Sequence, residues 1–253
     1  MSEGLSRAEG LETAAISSLD GTIIYCDIRP ADPRGTLIVP GFWRTRRWPT
    51  MRILTDRIAA TGRAVAALDL RGHGDSGGRF TFGEREWEDV AAVAEELVRR
   101  GWTSIDVIGF SLGGAAAVSA VARRPDLPWR SLLLVSAVAD LALVRPRLNP
   151  FTAHRHLTFS QAFRAPRIDW RSLRRPRPRA VDDIANVSVP VTVVHVIDDW
   201  LVHHSHGEAL HAHARDPKRM VLLEIPGRWH ADRILTAAAE AIDPLLDELF
   251  GRK

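Results

Sequence analysis

The chain has 253 residues, 45% of them hydrophobic, and a formal charge of +3. That is enough apolar material for one large α/β core, and too little net charge to make nucleic acid the expected partner. A single cysteine, Cys26, excludes an intrachain disulfide, the first ten residues are polar, and no apolar run approaches bilayer length. A soluble, cytoplasmic protein with no stable membrane insertion is therefore expected.

Leu11 to Ser18 and Thr22 to Arg29 read as two strands joined at Leu19-Asp20-Gly21, because Asp-Gly between apolar runs is a strong hairpin signal. A polar turn, Pro30 to Arg34, leads to a short strand, Thr36 to Val39, that ends at Pro40-Gly41-Phe42. The spacing of Met51, Ile53, Leu54, Ile58 and Ala59 predicts a helix over Met51 to Thr61 with Thr50 available as its cap. Ala64 to Leu70 follows as a buried strand. Glu84 to Arg100 repeats apolar residues at helical spacing and stops at Gly101. Strand, helix, strand, helix is the rhythm of a parallel sheet.

The rhythm continues through a strand, Ile105 to Ile108, and a helix of small residues, Leu112 to Arg124, then a strand, Ser131 to Val135, which ends at Ser136-Ala137-Val138-Ala139-Asp140. It breaks between Leu141 and Val189, where prolines and scattered aromatics leave no period and an insertion lying over the sheet is expected. From Leu141 to Val181 ten arginines stand against one acid, Asp169, a basic patch that could favour an anionic substrate, an acidic membrane surface or nucleic acid, though the usual explanation of such a run is a solvated surface. Val191 to Ile197 resumes as a strand, His206 to Ala214 as a helix, Met220 to Ile225 as a last strand, and Ala231 to Phe250 as one closing amphipathic helix.

The chemistry centres on Gly109-Phe110-Ser111-Leu112-Gly113, a G-x-S-x-G turn between a strand and a helix. That order is what a nucleophile elbow requires: the glycines permit the tight turn, and the serine hydroxyl is left exposed. A serine hydroxyl attacks a carbonyl at neutral pH only with an imidazole in reach and a carboxylate to orient that imidazole. Both should follow Ser111, each just past a strand. His230 follows the last strand across Pro226-Gly227-Arg228-Trp229. Asp198 and Asp199 follow the strand before it, and spacing leaves both open, with Asp140 a rival after the preceding strand.

Charge building on a carbonyl oxygen needs fixed donors, and the backbone N–H groups of Leu112 and Phe42 are placed to supply them. Trp43 and Phe110, their neighbours, are expected to touch substrate. Arg44, Arg46, Arg47 and Trp48 extend this into a cationic and aromatic cluster that could meet an acyl chain or a carboxylate, or pack upon itself.

Gly72, Gly74 and Gly77 spell G-x-G-x-x-G after a strand, but the next helix begins too late for dinucleotide binding, so no cofactor is expected. His203, His204, His206, His211 and His213 lack the spacing of a metal site and read as a polar loop and helix face.

Taken together, Gly41-Phe42, Arg71-Gly72-His73-Gly74-Asp75-Ser76-Gly77-Gly78, the serine turn, Asp198-Asp199 and Pro226 to His230 resemble the α/β-hydrolase superfamily, in particular short-capped, lysophospholipase-like serine esterases. The resemblance implies an α/β fold: a mainly parallel eight-stranded sheet flanked by helices, in a single domain over residues 1–253, with Leu141 to Arg179 as a small lid. It aligns Asp199 with the acid, since His195 to Val202 is similar to the superfamily's H-G-x-x-D-x-x-V segment. It departs at Pro40-Gly41, where many members have His-Gly, so the donor at Phe42 survives and any role of that histidine does not. It implies hydrolysis of a small ester or thioester through an acyl-enzyme. Carbon–carbon bond hydrolysis, acyl transfer and cofactor-free peroxidation use the same triad. An inactive binding module working through the arginine-rich insertion is the non-enzymatic alternative.

Overall fold

The structure, a computed structural model, describes residues 10–144 and 165–250. Strands β1 (Glu12–Ser17), β2 (Ile23–Arg29), β3 (Asp32–Val39), β4 (Arg63–Leu68), β5 (Ser104–Phe110), β6 (Trp129–Val135), β7 (Val191–Val196) and β8 (Lys218–Leu223) form one sheet. Its order is β1-β2-β4-β3-β5-β6-β7-β8. The hairpin β1–β2 is antiparallel and β2 meets β4 antiparallel, while every pair from β4 to β8 is parallel.

Alternation along the central strands explains the two layers. Leu37, Val39, Ile105, Val107, Leu132 and Leu134 point to one face, where they pack with α2 (Glu86–Arg99), α3 (Leu112–Arg123), α4 (Ala180–Asp183) and α5 (Ser205–His213). Ile38, Ile108, Phe110, Leu133 and Val135 point to the other, against α1 (Pro49–Ala60), α6 (Ile234–Ala237) and α7 (Ala239–Phe250). Strands buried on both faces read as continuous apolar runs, and these do.

Four local expectations are corrected. β3 starts at Asp32, not Thr36: the stretch expected to be a turn pairs with β4 and β5 across a bulge, and Gly35 admits the Trp102 ring where a Cβ would lie 2.1 Å from it. α1 starts at Pro49, and Thr50 does not cap it, because its hydroxyl donates to Asp232 instead. β8 lies two residues earlier than the apolar spacing suggests. The closing helix is broken: a 3₁₀ turn at Ala231–Arg233 leads into α6, and Ala238, at φ −138°, separates α6 from α7.

The insertion expected over Leu141 to Arg179 lies partly outside the described residues, and so do Arg145, Arg147, Arg155 and Arg164. Its described ends are a 3₁₀ turn at Leu141–Leu143, a parallel bridge between Phe80 and Ile168, and a 3₁₀ turn at Trp170–Arg174. No described helix is long and apolar enough to cross a membrane.

Candidate active site

β5 runs straight into α3 through Ser111, whose backbone is left-handed at φ 52°. Such a conformation is unfavourable for a non-glycine residue and persists only where its surroundings over-determine it. Here the Ser111 N–H donates to Val135 O at 3.0 Å, and Ser111 O accepts from Gly114 N and Val138 N. The flanking glycines are required by crowding: a Cβ on Gly113 would lie 2.1 Å from Pro40 O, and one on Gly109 2.6 Å from Gly114 Cα.

His230, in the loop after β8, places Nε2 2.9 Å from Ser111 Oγ and Nδ1 2.8 Å from Asp199 Oδ2. A carboxylate accepts only, so the network assigns the proton to Nδ1 and leaves Nε2 to accept from the serine hydroxyl. Asp199, in the loop after β7, is buried, and its Oδ1 accepts from Leu201 N at 2.9 Å and Val202 N at 3.0 Å. Burial works against its charge, but His230, His195 and the Val202 amide outweigh that and hold the carboxyl below its ordinary range.

Asp198 is exposed and makes no such contacts. Asp140 accepts from Ala142 N at 2.9 Å, as a turn cap does, and pairs with Arg179. Of the three candidate acids, only Asp199 meets His230.

Beneath Asp199 lies a second buried imidazole. His195 Nε2 donates to Val202 O at 2.9 Å, and burial lowers its pKa to about 4, so it stays neutral and brings no competing cation to the acid.

Phe42 and Leu112 sit on either side of Ser111 in the wall of one cavity. Neither backbone N–H donates to another group among the described residues, which leaves both available to an oxygen beside Ser111. Gly41 closes the approach: a Cβ there would lie 3.0 Å from both Ser111 Cβ and Phe110 O.

The turn is then held from below by His73. The N–H of Trp43, itself left-handed at φ 65°, donates to His73 Nε2 at 3.0 Å. His73 Nδ1 donates to Arg71 O at 3.1 Å, and its ring packs edge-on to Phe42 at 5.7 Å. Burial pushes its pKa down to about 4, so Nε2 remains an acceptor. Sequence reasoning placed this histidine only within the glycine-rich octet Arg71 to Gly78; nothing in the spacing of residues 43 and 73 signals a bond from one's amide to the other's ring.

The glycines of that loop serve packing. A Cβ on Gly72 would lie 2.4 Å from Arg167 O, and one on Gly74 2.1 Å from Asp69 Oδ2. Close approach of backbone and side chain, rather than a phosphate, accounts for both.

The cavity above Ser111 measures about 390 Å³ and is walled mainly by Phe42, Trp43, Phe82, Leu112, Val138, Leu141, Val144 and Trp200. Trp43 lines it as expected. Phe110 does not: strand alternation turns it to the opposite face of the sheet, where it is 1% exposed in the core against α1 and α7.

The cationic cluster after Phe42 is paired, with Arg46 turned inward and Arg47 exposed. Arg46 is buried among Asp27, Asp69 and Asp75, Arg47 pairs with Asp75, and Arg44 lies 4.5 Å over the Trp48 ring. Of the histidines after β7, His203 and His204 lie with ring centroids 4.1 Å apart, and the others find separate partners. His204 bonds to Ile197 O, His213 to Ala209 O and His206 to the Ala139 amide, and no group of three or more metal-binding side chains is found among the described residues.

A family model described as "Hydrolase_4: Serine aminopeptidase, S33" matches residues 36–175. Among curated relatives, a pimeloyl-[acyl-carrier protein] methyl ester esterase of Neisseria meningitidis serogroup C is 39% identical over 88 residues, 35% of this chain. The match spans about a third of that relative, 31% of its length.

Among solved structures, the Pyrococcus furiosus esterase Pf2001 superposes with a TM-score of 0.74 at 17% identity, covering 94% of this chain and 89% of that one. A complex of DcsB with its substrate analogue gives 0.76 at 16% identity, covering 94% and 98%. The esterase RhEst1 from Rhodococcus sp. gives 0.65 at 22% identity, covering 84% and 90%. These likenesses show the fold.

Proposed function

The chain belongs to the serine aminopeptidase S33 family of α/β hydrolases, and from that footing we propose that it hydrolyses carboxylic esters or thioesters through Ser111, His230 and Asp199. One observation carries the reading: a single imidazole bridges the serine hydroxyl at 2.9 Å and a buried carboxylate at 2.8 Å.

In the proposed cycle His230 Nε2 takes the proton from Ser111 Oγ as that oxygen attacks the carbonyl carbon. The carbonyl oxygen becomes an anion held by the N–H groups of Phe42 and Leu112, while Asp199 stabilises the imidazolium. Collapse breaks the bond to the alkoxide or thiolate, which leaves with the proton from His230. A water, deprotonated by the same nitrogen, then attacks the acyl-enzyme, and the free acid departs as Ser111 recovers its proton. Every step uses side chains, amides and water. In this reading Leu141 to Arg179 forms the lid of one domain spanning residues 1–253.

An ester fits the cavity better than a peptide with a free amino terminus. An ammonium group needs an uncommitted carboxylate near the scissile bond. Among the described residues the cavity wall holds one carboxylate, Asp232, and both its oxygens already accept bonds, from Arg44 and Thr50.

The test is hydrolysis of short p-nitrophenyl esters and fluorophosphonate labelling by the wild type and by Ser111→Ala. Loss of turnover by a factor of about 10⁴ or more, with loss of labelling, is expected. Full turnover by the variant would end the assignment, and an unlabelled wild type would leave a binding module.

A further inference from the structure

Among the described residues, the cavity wall carries two arginines, Arg44 and Arg233, and one carboxylate, Asp232. Asp232 is nearly fully buried: Oδ1 accepts from Arg44 Nε at 3.0 Å, and Oδ2 accepts from the Thr50 hydroxyl. Arg44 is further fixed by its contact with Trp48 and a bond to Trp43 O. Its charge is therefore matched by Asp232, each of whose oxygens already accepts a bond. Asp199, behind His230, is likewise occupied.

Arg233 is different. It closes the 3₁₀ turn Ala231–Arg233 that carries Asp232, it is half-buried, and its backbone N–H donates to His230 O at 3.2 Å. Among the described residues its guanidinium makes neither an ion pair nor a hydrogen bond. Among the described residues, Arg233 is thus the one cation of the cavity wall without a paired anion, and most of the rest of that wall is apolar.

A cation there is worth more than at an open surface, because apolar walls exclude the water that would screen it, and a guanidinium matches a carboxylate with two parallel bonds. The three arginines that stand out in the sequence, Arg44, Arg46 and Arg47, all have carboxylate partners.

We propose that Arg233 is the specificity-determining residue of this cavity and that it selects esters carrying an ionised carboxylate at the end of a short apolar arm, as half-esters of dicarboxylic acids do. The inference rests on the esterase reading and adds the substrate class. The carboxylate can reach Arg233 on the acyl arm or on the alkoxy arm, and matched substrates separate the two. Methyl hydrogen adipate against methyl hexanoate places the charge on the acyl side. Butanoate esters of 4-hydroxybutanoate and of 1-butanol place it on the other.

The readout is the ratio of kcat/KM for the charged and neutral member of each pair, followed by acid release, in the wild type and in Arg233→Gln, Arg233→Lys and Arg233→Glu. The wild type favours the charged member of one pair. Arg233→Gln lowers that ratio about tenfold, the value of one charge-assisted contact. Arg233→Lys keeps part of it and Arg233→Glu inverts it.

A wild type with no preference, or a ratio indifferent to residue 233 while neutral esters are still cleaved, overturns this inference and leaves the esterase reading standing. A wild type that cleaves no ester and takes no fluorophosphonate removes both.

Discussion

On one flank of Ser111, His230 lies between a hydroxyl and a carboxylate; on the other, His73 lies beneath the Gly41–Trp43 turn with an amide and a carbonyl as its partners. The two rings have opposite electrical duties. In the proposed cycle His230 gains and loses a proton at every step, and the buried Asp199 is there to meet that charge. His73 works only while it stays neutral, since a protonated Nε2 would turn from acceptor to donor and release the Trp43 amide. In that proposal, proton transfer and oxyanion binding rest on the same side chain used in two ways, and what separates them is whether an acid or a carbonyl faces Nδ1.

The largest effect should come from removing that acid. Asp199→Asn keeps the shape but lets His230 adopt the wrong tautomer, and kcat should fall by a factor of about 10³ to 10⁴ with circular dichroism unchanged. A loss below tenfold would break the contrast between the two histidines.

Next is His73→Phe, which keeps a buried ring and deletes the acceptor. With the turn that carries Phe42 no longer fixed, kcat should drop about 10- to 100-fold with a smaller change in KM. His73→Gln, which offers an amide oxygen to Trp43, should recover part of the loss. Equal rates for Phe and Gln would reduce His73 to a packing residue.

The smallest effect is in stability. The unfolded chain takes up a proton at histidine below its ordinary value of 6.5, whereas folded His73 refuses one until about pH 4. Between those values the unfolded state binds more protons, so this group's contribution falls as the pH is lowered, by about 2 kcal/mol from pH 7 to pH 5. His195, also at about 4, acts in the same direction. Urea unfolding at the two pH values should show a loss smaller by that amount in His73→Gln than in the wild type. An identical loss would mean that His73 charges in the folded protein.

Much of the sheet and the order of the site were legible because they depend on short-range signals: apolar runs, a glycine-flanked serine, and loops after β7 and β8. Asp199 needed more, since Asp198 differs from it only in which way the loop turns, and the Leu201 and Val202 amides that receive it exist only once that loop has folded.

The misread parts depend on contacts distant in sequence. Arg44 and Arg46 look like a free cationic group until Asp232, Asp27 and Asp69 arrive from other elements. Arg233, lost among many arginines, is distinguished by the lack of such a partner among the described residues. Phe110 adjoins the nucleophile in sequence yet faces the other layer, because a strand sends neighbours to opposite sides. The break at Ala238 does not fall at the run's helix breaker, Pro244, which lies inside α7, and nothing in the apolar spacing marks it.

The loop bearing His73 is also where the insertion rejoins the body. Arg167 N donates to Gly72 O at 2.8 Å, Phe80 N to Arg167 O at 2.7 Å, and Asp169 N to Phe80 O at 2.9 Å. Those bonds are between main-chain groups, indifferent to which side chains lie upstream. A foreign segment spliced between Val144 and Ala165 would meet a mooring already tied, so the sequence there can be exchanged while the floor beneath Ser111 keeps its shape.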